Sequence, residues 1–511
     1  MEVYRFFYAI LDFKTLSMKH LLAILLLIGS QSFATDAVKI SMKNAITTNN
    51  SKFEGWGTSL CWWANRVGYS DTLSQQCADL FFGDNGLRLN IMRYNIGGGD
   101  NPAHHHIKRT DSAIPGWMTY DSVSNTYSYN CQADSNQINV LRRSCKAAGQ
   151  DAYIEVFSNS PPYFWTASGC SSGNFDTSKD NLRPDCYTLF ADYLAYVTKY
   201  IQDSIGLKVK SISPMNESST NFWWAYSDKQ EGCHFNAGES QSKLLTETAK
   251  ALKSYNLNEI ILAACDETGP KHQINACLKF SDEARSVVNR ISSHTYDTSG
   301  RYELGQLAKQ YPNIWMSEID GGAILGDSVG EMGAPLWLAQ RIIDDITGLG
   351  ASAWVLWQVI DNHISKVGYN GNKDKGMVNL NRGYWGVAVA NHDDNCIVLT
   401  QKYYGFGQFS RFIRPGATII RCGQSSLAAY DSEISELVIV AINKEPENKQ
   451  VEFDLSDFEG KIGVYAKTFR TSGTIADGEH WAEIGQTNLD NNMLKAEIKG
   501  YSITTFVINC K

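Results

Sequence analysis

The chain has 511 residues, 43% hydrophobic and 20% charged, with 46 basic against 54 acidic side chains and a net charge of −8. That length supports a large core and two domains. A mildly acidic chain without basic clusters argues against a nucleic-acid partner.

Residues 18–34, MKHLLAILLLIGSQSFA, have a basic start, an apolar centre and small residues at Ser32 and Ala34. They read as a secretory signal cleaved after Ala34, with Met18 as the true start and 1–17 as an upstream extension. The apolar run is too short for a membrane anchor, and no later segment is long and apolar enough to span a bilayer. The expectation is a secreted or periplasmic monomer without a stable membrane anchor. All twelve cysteines follow this segment. Export permits disulfides, although spacing does not assign the pairs. The absence of a CxxC pair argues against a zinc ribbon.

Eight strand-like runs follow, at 55–63, 86–99, 151–162, 207–217, 259–267, 287–296, 313–322 and 351–361. Helical patterns separate them, among them 187–204, 240–255 and 334–347. Strands alternating with helices predict a (β/α)8 TIM barrel over 53–415. A doubly wound open sheet is the alternative, but GWGTSL (55–60) and IGGGD (96–100) lack the spacing of a phosphate-binding turn. The glycines of IGGGD read as loop only. Beyond residue 415 the pattern changes to short alternating strands without helices, such as ELVIVAINKE (436–445) and YSITTFVINC (501–510). This predicts a fused antiparallel β-sandwich over 416–511, joined by a strand segment within 35–52 that includes AVKISMK (37–43).

In a TIM barrel the chemistry sits at the C-terminal ends of the strands. Polar and aromatic residues cluster there: Arg93, Asn159, Glu217, His294, Glu318 and Trp357. Glu217 ends the fourth predicted strand and Glu318 the seventh, so the two converge across the mouth of a closed barrel. Alone, each is more simply a solvated loop charge. Together they suit glycoside hydrolysis, which uses one carboxyl as acid then base and the other as nucleophile. Asn216-Glu217-Ser218 also fits a glycosylation sequon, which in a catalytic cleft reads as accidental. Three adjacent histidines, His104 to His106, do not have metal-ligand spacing and read as a solvent-facing or subsite loop. The aromatic runs CWWANR (61–66), which holds Trp62, and NFWWAYSDKQEGC (221–233) are either sugar-stacking surfaces or loop packing.

The segments GWGTSLCWWA, RYNIGGGD, SNSPPYFW, SPMNE, SHTY, WMSEIDGG and FSRFIRPG, in that order, resemble glycoside hydrolase family 30. YSITTFVI resembles the last strand of that family's side sandwich. The resemblance implies a retaining hydrolase with a barrel and a fused sandwich. It implies Glu217 as acid/base, Glu318 as nucleophile and Asn216 on the hydroxyl beside the reacting carbon. Arg93 would hold the nucleophile ionised, and His294 and Tyr296 would donate to the nucleophile or the sugar. Asn159 would orient substrate, and Trp357 and Trp62 would contact sugar rings. No metal or organic cofactor is implied. FEGWGTSLCWWAN, RYNIGGGDNP and DKQEGC are most similar to the endo-β-1,6-galactanase branch, which implies a β-1,6-galactan poly- or oligosaccharide as partner. A β-1,6-glucanase, a glucosylceramidase and a non-catalytic carbohydrate-binding protein are the alternatives.

Overall fold

A computed structural model describes residues 37–109, 111–322, 331–369, 372–375 and 385–510. The segment read as a signal peptide, 1–34, lies outside the described residues.

Eight parallel strands close into a barrel. They are β1 (Gly55–Ser59), β2 (Ile91–Asn95), β3 (Tyr153–Phe157), β4 (Val209–Ser213), β5 (Ile261–Glu267), β6 (Arg290–His294), β7 (Asn313–Glu318) and β8 (Ala353–Leu356). β8 pairs with β1 through Ala353–Gly55 to Leu356–Thr58, which closes the ring. Each predicted strand run contains one of these strands, and the three named helical patterns fall on Tyr187–Asp203, Glu239–Ser254 and Gly333–Leu349. The fold is therefore a TIM barrel rather than an open sheet.

The strands are buried on both faces, as parallel strands must be when helices cover them. Met92, Tyr94, Ile154, Val156, Ile314 and Met316 pack outward into the large core shared with the helices. Ile91, Tyr153, Trp315, Ala353 and Val355 form a separate apolar layer. Against that layer Arg290 stacks on the Trp315 ring at 3.5 Å and pairs with Glu155. An apolar plug with one stacked cation thus underlies the polar groups nearer the mouth.

The chain adds two features that the sequence pattern did not show. A hairpin, Met118–Asp121 with Thr126–Tyr129, lies between β2 and β3. A four-stranded sheet built from Ile360–Tyr369, Asn372–Lys375, Ala388–Asn391 and Cys396–Leu399 follows β8. Apart from the ten-residue strand Ile360–Tyr369, these strands are four residues long.

The side domain is a nine-stranded sheet whose twelve-residue strand Glu479–Asp490 pairs with Tyr465–Ser472 at one end and Met493–Ile498 at the other. It encloses its own core, with Ile420, Leu437, Ile439, Phe453, Leu494 and Phe506 inside. Val38–Lys39 joins its edge in parallel with Phe453–Asp454, the one parallel pairing in an otherwise antiparallel sheet. Helix Gln401–Ser410 connects the two domains. Gln408 Nε2 donates to Thr471 Oγ1 at 2.8 Å, and Trp481 packs on Tyr403 and Tyr404. All twelve cysteines are unpaired thiols.

Candidate active site

The site is assembled by two irregularities in the barrel. On β7 the register against β6 shifts between Met316 and Glu318. A bulge of this kind breaks the strict alternation of side chains. Ser317 and Glu318, neighbours in sequence, therefore both face the barrel mouth. Ser317 Oγ donates to Asp266, while Glu318 Oε2 accepts from Arg93 Nη1 at 3.2 Å. On β5 a second shift falls between Cys265 and Glu267, and Asp266 takes a left-handed φ of 54°. This turns the Asp266 carboxylate toward Arg93 Nη2 at 3.3 Å and toward the Ser213 hydroxyl.

Glu217 is not on β4. That strand ends at Ser213, and Glu217 stands four residues on, with φ at 48°. A left-handed glutamate is uncommon and has to be held by its surroundings. Its N–H donates to the Asp266 carbonyl at 2.8 Å, and its own carbonyl accepts from Thr220 Oγ1 at 2.6 Å and Trp223 Nε1 at 3.0 Å. Pro214 ends the sheet pairing as expected, but the loop carries the glutamate to the mouth.

His294, the last residue of β6, bridges the two glutamates. Its Nδ1 is 3.0 Å from Glu217 Oε1 and its Nε2 is 3.4 Å from Glu318 Oε2. Burial holds the imidazole below its ordinary pKa, against the raising influence of Glu318 and Asp266. A neutral ring has one donor and one acceptor nitrogen. It can accept from a protonated Glu217 at Nδ1, while Nε2 lies near Glu318 without completing a hydrogen bond to it. The Tyr296 ring stands 37% exposed at the mouth. Its hydroxyl reaches inward and donates to Glu318 Oε1 at 3.1 Å.

The two carboxyls differ electrostatically. Burial pushes Glu217 up to about 8, and Glu318, also by burial, up to about 7. Glu318 is within reach of Arg93, Tyr296 and His294, whereas the Glu217 carboxyl has His294 and the Thr268 hydroxyl beside it and no cation at hydrogen-bond distance among the described residues. Of the coupled pair, Glu318 is the one better supported as an anion and Glu217 the one that keeps its proton to higher pH.

Arg93 lies within β2 rather than at its end, fully buried. Besides Glu318 and Asp266 it reaches Glu155 Oε1 at 3.0 Å through Nε, and its side chain lies over the Phe157 ring at 4.2 Å. Asn159 and Asn216 are buried near the strand ends, and each leaves its amide oxygen without a protein partner. Trp62 and Trp357 pack edge to face at 5.1 Å and are only 3% and 4% exposed. With Cys61, Ile114 and Phe157 they form an apolar cluster, so these rings are packed rather than open as stacking platforms. In the 221–233 loop, Trp223 is the buried anchor, while Phe222 and Trp224 are 46% and 57% exposed.

The histidine run divides. His106 is buried, with Nδ1 2.7 Å from Asp100 and Nε2 3.1 Å from Ser172 Oγ, whereas His104 and His105 are exposed. Thus His106 is structural rather than solvent-facing. Among the described residues the three histidines form no metal-ligand cluster. Glu217, His294 and Glu318 do have ligand atoms within 4.8 Å of one another. Arg93 lies 3.2 Å from the Glu318 oxygen, however, and already supplies the positive charge there.

Asp266, Glu155, Glu231 and Glu267 were missed in the sequence. A usable signal was present in EIILAACDE, where two acids end an apolar strand; buried acids need partners. Glu231 shows what the glycines of IGGGD do. Its carboxyl accepts from the N–H groups of Gly98 at 2.8 Å and Gly99 at 3.0 Å. A Cβ at Gly98 would sit 2.4 Å from the Pro161 carbonyl oxygen, so only glycine fits. Burial raises Glu231 to about 8. Below pH about 4.5 the folded and unfolded chains both hold this proton, whereas above it the unfolded chain releases it first. Stability therefore falls as pH rises through the window from about 4.5 to 8. Urea unfolding should show Glu231→Gln gaining on the wild type between pH 5 and pH 9. Parallel curves would contradict a buried neutral Glu231.

Opposed carboxyls at the mouth of a TIM barrel with a side β-domain define a glycosidase architecture. The profile described as O-Glycosyl hydrolase family 30 matches residues 37–369, more than half of the chain, and the protein belongs to that family of glycoside hydrolases. It is 29% identical over 487 residues to an endo-β-1,6-galactanase of Hypocrea rufa, covering 91% of this chain and 93% of that one. It is 24% identical to an exo-β-1,6-galactobiohydrolase of Bifidobacterium longum subsp. longum, with 91% of this chain covered and 39% of that longer relative. Among solved structures, a family 30 subfamily 8 xylanase from Clostridium acetobutylicum superposes with a TM-score of 0.65 at 20% identity, covering 93% of this chain and 100% of that chain.

Proposed function

We propose that the protein is a retaining hydrolase of β-1,6-linked galactan, exported by its apolar N-terminal segment. The observation that carries this reading is the approach of Glu217 and Glu318, whose carboxylate oxygens lie within 4.8 Å of each other. Retaining glycosidases hold their carboxyls roughly 5–5.5 Å apart, whereas inverting ones leave roughly 6.5–9.5 Å for a water. The similarity to the Hypocrea rufa endo-β-1,6-galactanase over most of both chains supports the substrate.

In the mechanism Glu217 protonates the leaving glycosidic oxygen as Glu318 attacks the anomeric carbon. The C–O bond to the aglycone breaks and a glycosyl ester forms on Glu318. Glu217, now ionised, takes a proton from water, which attacks the ester and frees the sugar. His294 keeps contact with both carboxyls as the proton leaves Glu217 and returns to it. The unpartnered amide oxygens of Asn159 and Asn216 are buried acceptors that sugar hydroxyls can satisfy; left unmet, each costs roughly 1–3 kcal/mol.

Incubation with β-1,6-galactan, β-1,6-glucan, xylan and glucosylceramide tests the substrate. Preference for the galactan is expected, with the β-anomer released first by NMR. A preference for another member of the panel overturns the sugar assignment, and initial release of the α-anomer overturns retention. The sizes of the early products separate attack within the chain from removal of end units.

The pH dependence follows from the two carboxyls. Turnover needs Glu217 protonated and Glu318 ionised. Thus kcat/KM should fall as pH rises past about 8, where Glu217 loses its proton, and fall again at acid pH as Glu318 gains one. A profile flat through pH 9 would remove Glu217 as the proton donor.

A further inference from the structure

Two residues beyond Glu318 stands a further carboxylate, Asp320, for which the mechanism has no use. After the β7 bulge the side chains alternate again. Glu318 faces the mouth and Ile319 is buried in the outer core. The pairing of β7 with β8 continues past the last strand residue, since the Trp357 N–H donates to the Ile319 carbonyl at 2.8 Å. In extended backbone, residues i and i+2 share a face. Asp320 therefore lies on the same side as Glu318, one step further out along the mouth.

The loop that carries it is held. Lys402 Nζ donates to the Gly321 carbonyl and to the Trp385 carbonyl at 3.3 Å. Gly321 has φ 133°, and a Cβ there would meet the Trp337 ring at 2.7 Å, so this backbone has little freedom. Although half-buried, the Asp320 carboxylate has no hydrogen bond and no ion pair among the described residues. Burial raises it to about 6, with Lys402 opposing and Asp361 and Glu217 adding to the rise, which places it in the field of the acid/base residue. An acceptor-only group, two residues beyond the nucleophile on a held loop and without a protein donor among the described residues, is suited to donors brought by a ligand. Neutral sugars bring hydroxyls.

We propose that Asp320 is a specificity-determining residue of the same site, accepting a hydrogen bond from a hydroxyl of the sugar whose anomeric carbon Glu318 attacks. The assignment rests on the glycosidase reading above but not on which sugar is cleaved. A carboxylate that accepts from a sugar hydroxyl distinguishes epimers, because moving that hydroxyl between axial and equatorial leaves the hydrogen bond unmade.

The test pairs Asp320→Ala and Asp320→Asn with 4-nitrophenyl β-1,6-galactobioside and analogues lacking one hydroxyl at a time. If the polysaccharide panel favours another sugar, the series is built on that one, so failure of the galactan assignment stays separate from failure of this proposal. Wild type should lose about 10- to 100-fold in kcat/KM on the analogue lacking the partnered hydroxyl. The Asp320→Ala variant should be similarly slow on the parent compound and nearly indifferent to that deletion. Melting temperatures and active-site labelling with a 2-fluoro glycosyl fluoride report whether each variant keeps its fold and its nucleophile. The asparagine variant keeps a neutral acceptor and should lose less than alanine; if the alanine variant fails to fold, Asp320→Leu, which has no acceptor, carries the same comparison. Equal sensitivity of wild type and variant to every deletion overturns the proposal, as does a variant changed only in its pH profile. Absence of any glycosidase activity in the wild type overturns the parent reading and this one together.

Discussion

Glu318→Ala should reduce turnover of a β-galactoside by about 10⁴-fold or more, because no other group can form the ester on that face of the sugar. The general acid is worth roughly 10²–10⁴-fold, so Glu217→Ala should be less severe on a substrate with a good leaving group such as 4-nitrophenolate. Azide then separates the roles by stereochemistry. In Glu318→Ala it can enter the space left by the nucleophile and displace the β-linked aglycone directly, giving an α-glycosyl azide. In Glu217→Ala the Glu318 ester still forms, and azide attacks it from the opposite face to give a β-glycosyl azide. Product NMR reads the outcome. The reverse pattern would exchange the two assignments, and wild-type turnover in either variant would end them.

Replacing Arg93 should damage both fold and chemistry. Its guanidinium reaches three carboxylates, Glu155, Asp266 and Glu318, at 3.0 to 3.3 Å, all in the buried interior. Removing one partner of a buried ion pair costs about 3–5 kcal/mol, because the remaining charge is left uncompensated. Arg93→Met should therefore lose stability of that order in urea unfolding. Arg290 would still pair with Glu155, but Asp266 and Glu318 would face each other with no cation at hydrogen-bond distance. Glu318 should then take up its proton more readily. The acid limb of the activity profile should move to higher pH in whatever folded fraction remains. An unchanged acid limb would show that Arg93 does not hold the nucleophile ionised.

Much of the architecture was legible in the chain. Eight apolar runs with turn residues between them, separated by helical periodicity, were enough for a barrel, because parallel strands covered by helices must be apolar on both faces. The change to alternating strands after residue 415 showed the sandwich for the complementary reason. Glu217 and Glu318 were legible once each was placed after a strand. Trp62 and Trp357 misled as open sugar platforms, since an aromatic next to a cleft looks the same in sequence whether its ring is open or packed; here each packs on the other. The run of histidines misled in the opposite sense, because the carboxylate that buries His106 is Asp100, six residues away.

Residue type and order by themselves pointed to the side chains that meet at the mouth: two glutamates, an arginine, a histidine and a tyrosine, at one end of one barrel. Tertiary structure alone decided how they meet. The bulge at Met316–Glu318 turns two neighbouring side chains to the same face, the left-handed Asp266 brings its carboxylate to Arg93, and a loop rather than a strand carries Glu217 to His294. Strand periodicity is a local property. A bulge or a left-handed residue is stable only when distant hydrogen bonds hold it, such as that from the Glu217 N–H to the Asp266 carbonyl, and no local pattern records a partner 49 residues away.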